Sequence, residues 1–340
     1  MAGIPLTRCQ FLMPFTAILD AIGAPSNSLL AKYKLPSELD GKADHYIPLL
    51  PAIRFAEAAQ CSQEIIDFGF EASKQMQYAH LSEKLRTVIG HSPTLLSALK
   101  QVCKWATLED TVLNIWLERW GDQLRICSKL QGAQGHPYLE HSQWLQLVFK
   151  IHIVRQFAGE SWNPATIAFE AHYVPTFETQ SRWPTTRFLS GEPASWIDVP
   201  VRMLSLPGRS NRIPALSMAE EDDPPAYKFL DSLKLMLPSY LGGGVLTLAE
   251  AAEIAGLSTR SFQRKLARDG LSYSDLVDAA RFDNASKLLR DTDSKIIEIA
   301  LSSGYGDHAH FTRAFRRMTG VSPRQYRAQS RNCQSSPTPC

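Results

Sequence analysis

The apolar positions of the last hundred residues follow one pattern twice. In the first copy Leu248, Ala251, Ala252 and Ala255 stand at i, i+3, i+4 and i+7, and Phe262 and Leu266 follow at i, i+4. That spacing is the core-facing stripe of an amphipathic helix. In the second copy Ile296, Ile299 and Ala300 repeat the stripe, and Phe311 and Phe315 repeat the pair. Gly256 and Gly304 separate the two stripes of each copy, and Gly270 and Gly320 close them. A glycine just past a helix accepts the left-handed backbone that ends it, so each copy predicts helix, tight turn, helix. The offset between copies is 48 residues at the first stripe, 49 at the second and 50 at the closing glycine.

Local chemistry agrees with these boundaries. Thr247 and Glu250 have the spacing of a capping box, and Ser258 and Asp307 stand where the second helices begin. The second copy carries Lys295 in place of the threonine and lacks the box, leaving Asp293 or Ser294 to compensate. Between the copies runs Tyr273 to Leu289, with Leu276, Ala280, Ala285, Leu288 and Leu289 as its apolar positions. As a helix it would be roughly 25 Å long.

Upstream the pattern is mixed. Ile53 to Phe68, Leu95 to Leu108 and Gln143 to Phe157 have helical periodicity. Leu113 to Leu117 and Gln123 to Ser128 read as strands around the turn Arg119-Trp120-Gly121-Asp122, and Thr166 to Tyr173 alternates like a strand. All seven tryptophans precede the acidic, proline-containing run Glu220 to Pro225, so the two parts have different cores. The expected organisation is an α+β domain over residues 1–220, a linker over 221–236 containing a helix from about Tyr227 to Leu237, and an all-α domain over 237–328. A disordered polar tail is expected over 329–340.

Composition narrows the function classes. The chain has 340 residues, 44% hydrophobic and 21% charged, as in ordinary globular proteins. Its net charge is +2, but residues 241–340 hold 14 basic and 10 acidic residues, against 22 and 24 in the remainder. Six scattered cysteines with no C-x-x-C pair argue against a disulfide framework or a zinc site, and Cys61, Cys103 and Cys127 read as inert buried thiols. No charged-then-apolar leader and no uninterrupted apolar run of about 18 residues is present, so a cytoplasmic protein without membrane contact is expected. His80, His91, His136, His141, His152 and His172 have no paired metal-binding spacing. No P-loop, dinucleotide fingerprint or nucleophile elbow occurs. No cofactor, metal or enzymatic activity is expected.

The outward positions of the repeat carry the candidate chemistry. In the first copy these are Arg260, Ser261, Gln263 and Arg264; in the second, His308, His310, Thr312 and Arg313. Arginine bidentate to guanine and glutamine bidentate to adenine are favoured major-groove contacts, so these eight residues are the candidate base readers. Lys265, Arg268, Arg316 and Arg317 flank them and suit phosphates, which set orientation without reading sequence. Adjacent major grooves on one DNA face lie about 34 Å apart. One chain with two unequal helix-turn-helix units on a rigid strut would therefore read a non-palindromic duplex site.

At these residues the chain resembles the AraC/XylS family of bacterial transcription regulators. The resemblance spans about Leu237 to Arg327. It rests on Ala252-x3-Gly256 and Ala300-x3-Gly304, on Arg281-x3-Ala285-x2-Leu288-Leu289, and on Phe311-x-Arg313-x-Phe315-x4-Gly320-x-Ser322-Pro323-x2-Tyr326. It implies base contact by Arg260, Gln263 and Arg264 in the first unit and by His308, Thr312 and Arg313 in the second, two helix-turn-helix units joined by a linker helix, and a structural or phosphate-directed role for Arg281. Three upstream stretches, Ile47-Pro48-Leu49 to Ala59, Ser92-Pro93-Thr94-Leu95 to Leu108, and Trp162-Asn163-Pro164-Ala165 to His172, resemble the arabinose-binding-type N-terminal domain of one branch of the family. The resemblance implies a sensing or dimerisation role for that domain, a small-molecule effector acting by population shift, activation, and contact with RNA polymerase. The alternatives are control by a protein partner or by self-association, and a bifunctional enzyme with a DNA-binding tail.

Overall fold

The computed structural model describes residues 3–208 and 223–334. The chain divides into two compact units. The first is built from Pro5–Tyr33 and Ile47–Tyr227, the second from the residues up to Ile4, Lys34–Tyr46 and the residues from Lys228 onward.

The first unit is α+β, as expected. Strands β1 (Leu6–Arg8) and β2 (Tyr46–Pro48) form a two-stranded sheet. Helices α1 (Met13–Ala21), α2 (Ser26–Lys32), α3 (Leu49–Gln63), α4 (Phe68–Ser73), α5 (Glu83–Gly90) and α6 (Leu95–Trp105) precede a five-stranded sheet. Its strands are β3 (Leu113–Trp120), β4 (Gln123–Leu130), β5 (Thr166–Ala168), β6 (Arg187–Leu189) and β7 (Ser195–Pro200), in the order β3-β4-β7-β5-β6. All neighbours are antiparallel except β5 and β6. The β3–β4 hairpin turns at Gly121, whose φ of 63° suits a two-residue turn, and both strands run eight residues, longer than the pattern indicates.

Helix α7 (Glu140–Ala158) is buried on every side, with Trp144, Leu147 and Val154 fully covered. Lys150 is buried with them, its Nζ donating to Ser128 Oγ at 2.7 Å and Ser195 O at 3.3 Å. Burial pushes the Lys150 amine down to about 7.

Two expected elements are shorter than their patterns. The helix read from Ile53 to Phe68 stops at Gln63, and both Glu64 and Asp67 adopt φ 51°. The break is held from a distance. Asp67 Oδ1 accepts from Tyr173 OH at 2.7 Å, while Oδ2 accepts from Thr176 N, Thr176 Oγ1 and Thr179 Oγ1 at 3.0, 2.6 and 2.6 Å. Burial opposes ionisation of Asp67, but these hydrogen bonds outweigh it and hold the carboxyl below its ordinary range. The strand read over Thr166 to Tyr173 likewise ends at Ala168, because Tyr173 turns to this carboxylate. The same clamp fixes α8 (Phe177–Ser181).

The second unit is helical: α9 (Phe229–Met236), α10 (Leu248–Ile254), α11 (Thr259–Arg268), α12 (Tyr273–Asp291), α13 (Ile296–Ser302), α14 (His308–Thr319) and α15 (Pro323–Gln334). Helix α9 falls within the helix expected from about Tyr227 to Leu237, and its Leu233 and Met236 are fully buried in this unit. The linker residues 221–222 lie outside the described residues. Helix α15 corrects the expected tail, since it continues to Gln334, while residues 335–340 lie outside the described residues.

The pattern gives no hint of the segment Lys34–Tyr46, which belongs to this unit. Lys42 Nζ donates to Ser239 O at 2.9 Å and Leu241 O at 2.6 Å, and Tyr240 OH donates to Lys34 O at 2.8 Å. Lys34 also pairs with Glu253 on α10. Among the described residues no helix is long and apolar enough to cross a membrane.

Candidate nucleic-acid interface

Both copies of the repeat form a helix pair, and the caps explain their boundaries. Thr247 N donates to Glu250 Oε2 at 2.8 Å, and Glu250 N donates back to Thr247 Oγ1 at 3.2 Å, a complete capping box for α10. Ser258 Oγ accepts from Ser261 N at the start of α11, and Asp307 Oδ1 accepts from His310 N at 2.6 Å at the start of α14. Gly256 and Gly304, at φ 65° and 76°, make the turns. In α13 only half a box forms. Glu298 Oε2 accepts from Lys295 N at 2.8 Å, but an ammonium has no lone pair to return to the Glu298 amide.

The apolar stripes pack as their spacing requires. Ala251, Ala252, Phe262 and Leu266 are buried in the first pair, and Phe262 lies between Phe229 and Tyr273, with centroids 5.4 and 5.9 Å away. Ile299, Ala300, Phe311 and Phe315 are buried in the second pair, against Ala285 and Leu289 of α12. Truncating a buried phenylalanine costs about 3–5 kcal/mol, so these rings fix where the outward residues of α11 and α14 stand.

On α11, Arg260, Gln263, Arg264 and Arg268 are exposed together, and Ser261 is half-buried beside the Ser258 cap. On α14, His308, His310, Arg313, Arg316 and Arg317 are exposed. Three sequence candidates sit differently. Lys265 is half-buried with its Nζ 3.6 Å from the Phe229 ring centroid, and desolvation lowers its pKa. Thr312 is half-buried, and its Oγ1 is out of solvent without a hydrogen-bond partner. Arg281 is half-buried on α12, 3.4 Å from Asp278 Oδ1 and with its guanidinium 5.5 Å from the Tyr305 ring centroid.

Sequence reading gave no role to the outer face of α13, where Ile297 and Leu301 are 52% and 51% exposed. Their i, i+4 spacing, out of phase with Ile296, Ile299 and Ala300, is the signal that locates them. Among the described residues no group of three or more His, Cys, Asp or Glu can hold a metal ion.

A family model described as a helix-turn-helix domain matches residues 251–329. The HTH-type transcriptional regulator VirS of Mycobacterium tuberculosis is 21% identical over 95% of this chain and 96% of its own length. The ornithine utilization regulator of Pseudomonas aeruginosa is 30% identical over 40% of this chain and 42% of its own. The DNA-binding domain of AdpA, solved in complex with a target DNA, aligns at 25% identity over 31% of this chain and 95% of that chain, with a TM-score of 0.29. This chain thus carries a DNA-binding helix-turn-helix domain at its C-terminal end and is similar over nearly its whole length to an HTH-type transcriptional regulator.

Proposed function

We propose that the two helix pairs are two helix-turn-helix units joined by α12 and that a single chain reads a non-palindromic duplex site with both. The observation that carries this reading is the matched set of exposed side chains on α11 and α14, each fixed from below by two buried core residues. Arg264, Gln263 and Arg260 read bases in one major groove; Arg313, His308 and His310 read the next. Ser261 supplies a weaker hydroxyl contact. Arg268, Arg316 and Arg317 hold phosphates. The packing of Lys265 on Phe229 and the covered hydroxyl of Thr312 favour supporting roles for these two, and the surroundings of Arg281 favour its structural role. At 19 residues α12 is about 28 Å long, close to the groove repeat.

The unit formed by Pro5–Tyr33 and Ile47–Tyr227 serves in control, and the whole chain works as a cytoplasmic activator that touches RNA polymerase. A relative named for ornithine utilization supports a small metabolite as the signal. One observation favours self-association as well: Ile66, Val174 and Phe177 are 71%, 65% and 88% exposed beside the Asp67 clamp, an apolar patch suited to a second copy.

The test is hydroxyl-radical footprinting of the purified chain on duplexes selected from random DNA. Two protected patches one helical turn apart, at one chain per duplex, are expected. A single patch, or a strictly palindromic site needing two chains, would overturn the two-unit reading.

A further inference from the structure

Within the helical unit, a cavity of about 400 Å³ lies along α12, walled by α9 and by the segment Asp44–Tyr46. That volume falls in the range of small-molecule sites. Leu235, Leu276 and Ala280 give it an apolar floor, and Asp283 and Lys287 face it one helical turn apart on α12. Oppositely charged residues at i, i+4 ordinarily pair. Here neither forms an ion pair or a side-chain hydrogen bond among the described residues, and both are exposed. At 1.5 Å per residue the two positions stand about 6 Å apart along the helix axis. His45 closes the Lys287 end; its Nδ1 is out of solvent without a partner, and burial, with the charges of Lys42 and Lys287, keeps its pKa below the ordinary value.

We propose that this cavity is an effector site for a small zwitterion of the ω-amino-acid type. Its carboxylate sits on Lys287, its ammonium on Asp283, and its methylene chain on the apolar floor. Asp283 and Lys287, of opposite sign and one turn apart over an apolar surface, complement a molecule with the same two charges joined by a few methylenes, and a monoanion or monocation leaves one of this pair unanswered; Lys234 of α9 and Asp44 also line the cavity. The position also suits control. Asn284, which lines the same cavity, donates its Nδ2 to Ser302 O at 3.2 Å and Ser303 Oγ at 3.1 Å, at the end of α13. Helix α9, the opposite wall, carries the Phe229 ring that packs on Phe262 of α11. The ligand thus touches elements that support both helix pairs. This proposal rests on the reading of the chain as a metabolite-controlled regulator.

The test is isothermal titration calorimetry of the full chain with the ω-amino acids from 3-aminopropanoate to 6-aminohexanoate. Each is paired with the carboxylate and the amine of the same chain length. At least one ω-amino acid should bind tenfold or more tightly than both its partners. Asp283→Asn and Lys287→Gln should each weaken that binding at least tenfold while leaving DNA affinity without ligand unchanged. The double exchange Asp283→Lys with Lys287→Asp should restore binding, because the ligand can reverse. If no ω-amino acid outbinds its matched ions, or either single substitution leaves binding unaltered, the site assignment is wrong. A failed titration with the two-patch footprint intact removes this site and leaves the DNA-reading proposal standing; a failed footprint removes that proposal instead.

Discussion

Replacing Lys295 with threonine should complete the second capping box and stabilise α13. The backbone is already set for it. Lys295 has φ −61° and ψ 147°, against −69° and 159° for Thr247, and the glutamate half of the box is 2.8 Å long in both copies. The substitution adds the missing acceptor for the Glu298 amide, worth about 1 kcal/mol at an N-cap. It also removes a cation from a helix N-terminus, worth a further ~0.3 kcal/mol or more. Lys295 is exposed, so no packing is lost. The sum of about 1.3 kcal/mol corresponds to roughly a ninefold slower opening of the first turn of α13. Amide hydrogen exchange at Glu298 reads this directly. Lys295→Ala supplies the control, since it removes the charge without adding an acceptor and should recover only the smaller share. If Glu298 exchange in Lys295→Thr is unchanged or faster, the capping asymmetry between the copies has no energetic content.

Three further outcomes follow from the same geometry. Lys150→Met should flatten the pH dependence of stability between pH 7 and 9. A lysine with a folded pKa near 7 and an ordinary unfolded value binds fewer protons folded than unfolded in this range, so wild-type stability rises with pH by up to about 1.4 kcal/mol per unit; urea denaturation at both pH values checks it. Arg281→Ala should lower stability by about 1 kcal/mol and leave the salt dependence of DNA binding unchanged, whereas a salt slope smaller by about one would make Arg281 a phosphate ligand. Arg316→Ala should weaken binding to all sequences alike and reduce that slope by about 0.9, measured by fluorescence anisotropy across salt concentrations.

The helical unit was legible because its signals are local. Caps, glycine turns and stripes within twenty residues determine α10, α11, α13 and α14. What sequence reading missed depends on distant partners. The break after Gln63 is held by threonines and a tyrosine more than a hundred residues away. Residues 34–46 join the helical unit through Lys42 and Lys34, whose partners lie some two hundred residues downstream. Helix periodicity gives a side chain's direction but not what covers it. Lys265 and Thr312 point outward by spacing alone, yet Phe229, from outside the repeat, lies under one, and the other's hydroxyl is covered. The cavity along α12 was invisible for the same reason, since one of its walls comes from the segment before β2.

With two unequal helix pairs, one chain should read two unequal half-sites. Affinities of the purified chain for every single-base variant of a selected site, repeated with Arg264→Ala and Arg313→Ala, test it most directly. Two clusters of sensitive positions about 10 base pairs apart are expected. Arg264→Ala should cost about 1–3 kcal/mol and erase discrimination in one cluster, and Arg313→Ala should do so in the other. If both substitutions relax the same cluster, or neither changes base preference, the two-unit account is contradicted.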